Sequence, residues 1–195
     1  MFIQTEPTPN PDTIKFLPGE TVAGDAGPFD FASEAEAGIS PLAQAVFQVD
    51  NVTRVFLGAD FLSVSKAEDA DWKHVRPMVL AAIMDHYVAG MPAIDDGAAP
   101  QTGSDGATTA ADYEGETAEI VEEILELIET RVRPAVAQDG GDITFQRYDA
   151  DGGIVHLSMR GACAGCPSST MTLKQGIESM LKAYVPEVNA VEAAV

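Results

Sequence analysis

The sequence predicts an α/β (α+β) chain of two small domains, each a short-stranded sheet with packed helices, joined by a flexible acidic linker. Three observations predict it. Residues 1–90 alternate β-branched or aromatic runs with segments of helical period. Residues 91–115 contain no basic residue and no sustained apolar period, and residues 116–195 open on an amphipathic helix before returning to strands. A length of 195 residues allows one large domain or two small ones, each with a modest core.

In the first domain, Phe2-Ile-Gln-Thr5 and Thr13-Ile-Lys-Phe-Leu17 flank the proline-punctuated turn Pro7-Thr-Pro-Asn-Pro11 and read as a pair of short strands. Ser40-Pro41 supplies an N-cap and a proline at the first helical position, with Leu42, Ala45, Val46 and Val49 at helical spacing behind it. Val52-Thr-Arg-Val-Phe-Leu57 and Phe61-Leu-Ser-Val-Ser65 read as strands of a hairpin closed by Gly58-Ala-Asp60. Asp71 caps a helix over residues 72–87 whose inner face carries Val75, Val79, Ile83 and Tyr87; Pro77 within it implies a kink or a late start.

Residues 91–115 read as linker, so the domains are expected to reorient. From Glu116 a helix presents Ile120, Val121, Ile124, Leu125, Leu127, Ile128 and Val132 on one broad face, with Glu119, Glu122, Glu123, Glu126 and Glu129 solvated, until Arg133-Pro134 ends or kinks it. Asp139-Gly-Gly-Asp142 makes a sharp exit into the strand Ile143–Tyr148, and Asp149-Ala-Asp-Gly-Gly153 turns the chain back along Ile154–Met159. In that return strand Val155, Leu157 and Met159 share one face and His156 takes the other. Leu173, Ile177, Met180, Leu181 and Tyr184 form one stripe of a helix that starts near Pro167 and stops at Pro186, before a last strand over 188–193.

Eleven Lys and Arg against 31 Asp and Glu leave a formal charge of -20. Such a chain lacks the basic footprint that nucleic acid or an anionic membrane surface requires. The start, Met1-Phe-Ile-Gln-Thr-Glu-Pro7, shows neither the basic residues nor the apolar core of a secretion signal. A cytoplasmic, reducing setting is expected, with an organellar matrix after processing as the alternative.

Both cysteines, Cys163 and Cys166, fall in one C-x-x-C, which leaves no second pair for a disulfide framework. Small neighbours, Gly161, Ala162, Ala164 and Gly165, let backbone amides approach a thiolate or an inorganic sulfide, and Pro167 opens a helix immediately after. Both thiols are expected to ionise more easily than free cysteine. Two thiolates are too few for a cubane or an all-cysteine zinc site, and the chain has no others. A twofold pair of chains, each giving one C-x-x-C, completes the set. Three readings compete: a thioredoxin-like dithiol oxidoreductase, a zinc-binding interaction protein with His156 as third ligand, and cysteines that only pack. His74 and His86 read as ordinary histidines of the first domain.

Arg133-Pro134, Asp139-Gly-Gly-Asp142, Gly161-Ala-Cys-Ala-Gly-Cys-Pro-Ser-Ser169, Thr172-Leu-Lys174, Gly176-Ile-Glu178 and Pro186-Glu-Val188 resemble the C-terminal domain of the NifU-like (Nfu) iron–sulfur scaffold family. Residues 1–90 are similar to the N-terminal domain that accompanies it, through Thr8-Pro-Asn-Pro11, Ile14-Lys-Phe16, Ser40-Pro-Leu-Ala43, Val55-Phe56, Gly58 and Asp60-Phe61. The resemblance implies a cluster carrier rather than an enzyme. Cys163 and Cys166 would bind a [4Fe–4S] cluster (alternative [2Fe–2S]) bridged between the two subunits of a homodimer. Upstream assembly machinery would supply the cluster, apo iron–sulfur proteins would receive it, and residues 1–90 would dock partners.

Overall fold

The computed structural model describes residues 2–95, 97, 108–164 and 167–194, of which 167–170 by backbone alone. In the first domain β1 (Gln4–Pro7), β2 (Thr13–Leu17), β3 (Phe29–Phe31), β4 (Val52–Leu57) and β5 (Leu62–Lys66) form one antiparallel sheet in the order β1-β2-β5-β4-β3. The two-residue period puts Phe16, Phe29, Phe31, Val55, Leu57, Leu62 and Val64 on one face. There α1 (Pro41–Phe47) and α2 (Trp72–Val88) cover them with Leu42, Val46, Val75, Val79 and Ile83. Strand β3 has no counterpart in the sequence reading, since three residues are too few to show a period.

The caps are as the sequence implies. Ser40 Oγ accepts from Ala43 N at 3.0 Å and the Asp71 carboxylate from Lys73 N at 2.9 Å, each meeting an amide that the first helical turn leaves unpaired. Helix α2 starts at Trp72 and carries Pro77 inside it.

In the second domain α3 (Glu116–Leu127) does not end at Arg133-Pro134. It passes through a π turn over Ile128–Val132, in which Arg133 N donates to Ile128 O, and continues as α4 (Arg133–Gln138). The wide turn makes room for the proline ring, and Pro134 sits in the first turn of α4, where its missing N–H costs little. Strands β6 (Gly141–Asp149) and β7 (Ile154–Gly161) are antiparallel, and α5 (Pro167–Tyr184) leads to β8 (Ala190–Ala193), parallel to β7. The helices cover one face of this sheet, over Ile143, Phe145, Val155, Leu157 and Val191.

Both ends of the expected linker pack onto a domain. Ser40 Oγ donates to Ala93 O at 2.7 Å and Asp95 N to Ile39 O at 2.9 Å. At the other end a bulge between Phe145 and Arg147 leaves Gln146 O to accept from Thr108 N at 2.7 Å, and Tyr148 N donates to Tyr113 Oη at 2.7 Å. The rest of that segment, apart from Gly97, lies outside the described residues.

Glu6, Lys15, Ser63, Phe56 and Asp30 are successive cross-strand partners, one row on the face of the first sheet that turns away from its helices. Phe56, Ser63, Lys15 and Asp30 are 1, 2, 7 and 8 % exposed. Phe56 belongs to neither domain's own core; the row is covered because the second domain lies against it. The two domains, expected to reorient, meet through this row.

Candidate functional site

The site is built where the two ends of a hairpin close. Gly141 and Asp142, the first residues of β6, lie opposite Gly161 and Arg160, the last of β7. Gly140 and Gly161 take φ of +80° and +61°, a region that favours glycine. Beyond Gly161 the chain tightens: Ala162 N donates to Gly140 O at 3.2 Å, Cys163 N to Arg160 O at 3.3 Å and Ala164 N to Gly161 O at 3.0 Å. A Cβ on Gly141 would stand 2.5 Å from Cys163 Sγ, so the sulfur rests on bare backbone. At this second glycine of Asp139-Gly-Gly-Asp142 a Cβ would also meet Arg160 O at 2.8 Å, so only glycine fits without a shift.

Arg133 ties the helices to the same corner. Its Nε and Nη2 donate to the Asp142 carboxylate at 2.8 and 3.2 Å, and Nη1 reaches both Glu129 oxygens at 2.9 Å. The hydrogen bond to Asp142 holds the guanidinium above its usual range, against the cost of burial. Arg133 and Asp142 were visible in the sequence as motif residues, but their pairing spans two elements that sequence spacing does not join.

Cys163 is 6 % exposed. Burial first, and then the neighbouring carboxylates Asp139 and Asp142, push its thiol up to about 12. The expectation of an easily ionised thiol fails here because Cys163 lies before the α5 helix turn, under Gly141, beside two acidic residues that the sequence reading treated as turn formers. Cys166 lies outside the described residues. A cavity of about 600 Å³ opens beside Cys163, with Val132, Val136, Leu173, Ile177 and Met180 giving it an apolar lining and Pro9 of the first domain closing one side.

His156 stands apart from the Cys163 corner. It sits five residues before Gly161 on an extended strand, roughly 16 Å along it, and its Nδ1 is 4.0 Å from the Glu192 carboxylate on β8. His74 is exposed, and His86 is buried in the first domain, where burial pushes its pKa down. Among the described residues no three His, Cys, Asp or Glu side chains converge as a metal site. The row residues Lys15, Ser63 and Phe56 were missed as site neighbours; their one sequence signal is a phenylalanine at an outward strand position.

Residues 3–90 match the family described as "Scaffold protein Nfu/NifU N terminal", and residues 124–192 match the "NifU-like domain". A Drosophila erecta protein named "NFU1 iron-sulfur cluster scaffold homolog, mitochondrial" is 46% identical over 192 residues, covering 98% of this chain and 64% of that protein. The protein of the same name from Drosophila willistoni is 46% identical over 194 residues, covering 98% and 63%. The chain thus spans a little under two thirds of these relatives' length. The solution structure of a NifU-like protein from Saccharomyces cerevisiae aligns with a TM-score of 0.45 and 24% identity, over 49% of this chain and 86% of that one. With both family descriptions side by side in one chain, and 46% identity running through nearly all of it, the chain belongs to the Nfu/NifU family of scaffold proteins.

Proposed function

We propose that this chain carries an iron–sulfur cluster, held by Cys163 and Cys166 of each of two chains, and passes it to apo-proteins. The cluster is cargo rather than a resident cofactor. The observation that carries the reading is the ligand count: both cysteines of the chain lie in one loop, while a cubane asks for four sulfur ligands. The surroundings of Cys163 suit the cargo. Gly141 and Ala162 leave backbone close to the sulfur, and the adjoining cavity is large and apolar. The relatives' printed names, which say iron–sulfur cluster scaffold, support the same reading.

Loading requires thiolates, so each cysteine gives up its proton as it binds iron and recovers one on release. During transfer a bond from iron to the carrier's sulfur breaks as a bond to the recipient's thiolate forms, and the oxidation state of the cluster does not change. Burial that disfavours the thiolate in the empty loop also favours letting go. The role is carriage rather than catalysis. A dithiol oxidoreductase needs an attacking thiolate near neutral pH, and Cys163, whose thiol burial pushes up to about 12, is poorly suited to supply it.

The first domain docks recipients or the upstream donor, and the working form is a homodimer joined through the cluster. The relatives are named mitochondrial, which agrees with the organellar alternative and lends no support to the cytoplasmic expectation. In the described residues no helix is long and apolar enough to cross a membrane.

Anaerobic reconstitution with iron and sulfide, read by absorption and Mössbauer spectroscopy, tests the proposal. The expected product contains one [4Fe–4S] unit per pair of chains; the same four ligands with a [2Fe–2S] spectrum would revise the nuclearity alone. A colourless protein that takes up zinc in place of iron would overturn it.

A further inference from the structure

The covered row of the first sheet is aimed at the cysteine corner. Lys15 Nζ donates to Ala137 O at 3.0 Å and Gln138 O at 3.2 Å, the last carbonyls of α4, where a cation complements the negative end of the helix. Its ammonium also lies 4.5 Å over the Phe61 ring. The nearest carboxylate, on half-exposed Glu6, stands 3.9 Å away, so the short polar contacts of this buried lysine are with the other domain. Ser63 Oγ donates to Gly140 O at 2.6 Å, fully inside the contact. Phe56 occupies the space where a Cβ on Gly161 would come within 2.8 Å of its ring, and Asp30, clamped by Arg54 at 2.8 and 2.6 Å, brings Oδ2 to 3.5 Å from Gly161 N.

These contacts fall on two short stretches only, Ala137–Gly140 and Gly161. Both border Cys163, the first through Gly141 and the second through Ala162. Outward-facing lysine and serine on a sheet are ordinarily solvated, and burying them costs free energy unless partners replace the water. Here the partners are backbone carbonyls, the last two of α4 for Lys15 and that of Gly140, in the turn that follows, for Ser63. Gly140 and Gly161 leave the room for it, since a Cβ on Gly140 would stand 2.6 Å from Ser63 Oγ.

We propose that the first domain is a structural part of the cysteine site, with Lys15 and Ser63 as positioning residues that hold the turn Asp139–Gly141 against Cys163 and keep its sulfur covered in the metal-free chain. The inference rests on the cysteine reading for its purpose, but its test needs no iron. The reduced, metal-free full chain is treated with iodoacetamide, and fragment mass spectrometry follows modification of Cys163 separately from Cys166. Lys15→Met combined with Ser63→Ala should raise the Cys163 rate about tenfold while far-UV circular dichroism is unchanged, because local opening becomes easier without global unfolding. Lys15→Arg, which keeps a donor for the two carbonyls, should retain protection where Lys15→Met loses it.

An unchanged rate in the folded double variant overturns the proposal, as does Lys15→Arg reacting as fast as Lys15→Met. Should the double variant fail to fold, Ser63→Ala alone is read in the same way, with about a threefold rise expected for one lost hydrogen bond. Failure here leaves the cluster reading standing. A chain that protects Cys163 in this manner yet takes up no iron overturns the cluster reading alone.

Discussion

The two sheets follow the same alternation of apolar and polar residues and end up in different surroundings. In the second sheet, Val155 and Leu157 face the helices, while His156, Ser158 and Arg147 on the other face remain partly or fully exposed. In the first, Val55 and Leu57 face the helices just as Val155 and Leu157 do, yet Phe56, Ser63 and Lys15 on the other face are buried as well. Alternation therefore reports which face meets a sheet's own helices. It says nothing about whether a second domain closes over the opposite face.

The variant with the largest expected effect tests the site that the contact surrounds. Cys163→Ser should abolish iron uptake and visible absorption after reconstitution while leaving both sheets folded, as far-UV circular dichroism would record. Next comes the join between the sheets. Gly161→Val places a β-branched side chain at φ +61°, against the Phe56 ring and Gly140 O, and should cost about 4 kcal/mol in urea unfolding from backbone strain and overpacking together.

Phe56→Ala compares the two faces directly. Its loss should cost about 3 kcal/mol, whereas Arg147→Ala on the open face of the second sheet should stay within about 0.5 kcal/mol. Equal, small effects for both would show that the first sheet's outer face is not closed in solution. The smallest effect is a pH dependence. With the folded Cys163 thiol pushed up to about 12 by burial and by Asp139 and Asp142, the folded chain keeps a proton that the unfolded chain loses near the ordinary thiol value. The stability this contributes is complete below the unfolded pKa and is lost as pH rises towards 12. Unfolding at pH 8 and pH 10 should differ on the order of 1 kcal/mol more in the parent chain than in Cys163→Ala.

Much of the fold was readable because it is local. Ser40-Pro41 and Asp71 announce their helices through cap chemistry, and the apolar stripes of α2 and α3 survive as core faces, as does that of α5 except for Tyr184, which is exposed beneath Arg131. At Arg133-Pro134, where the helix was expected to end or kink, it continues through a π turn that absorbs the proline, and nothing in the residue pattern distinguishes a break from a widened turn. Within the stretch read as linker, Ala93 and Thr108 find partners far away in sequence, on Ser40 and Gln146.

For the proposed site, the sequence by itself determined which thiols are available. Two cysteines in one loop, bordered by small residues, can hold only half of a four-sulfur site, and that conclusion needs no coordinates. Only the tertiary structure decided the environment of Cys163. Its burial under Gly141, the nearness of Asp139 and Asp142, and the grip of Lys15 and Ser63 on the adjoining turn all join residues from separate elements. Desolvation depends on what closes over a group in space, and the contacts beside the Cys163 corner join residues more than a hundred positions apart, Lys15 and Ala137 by 122.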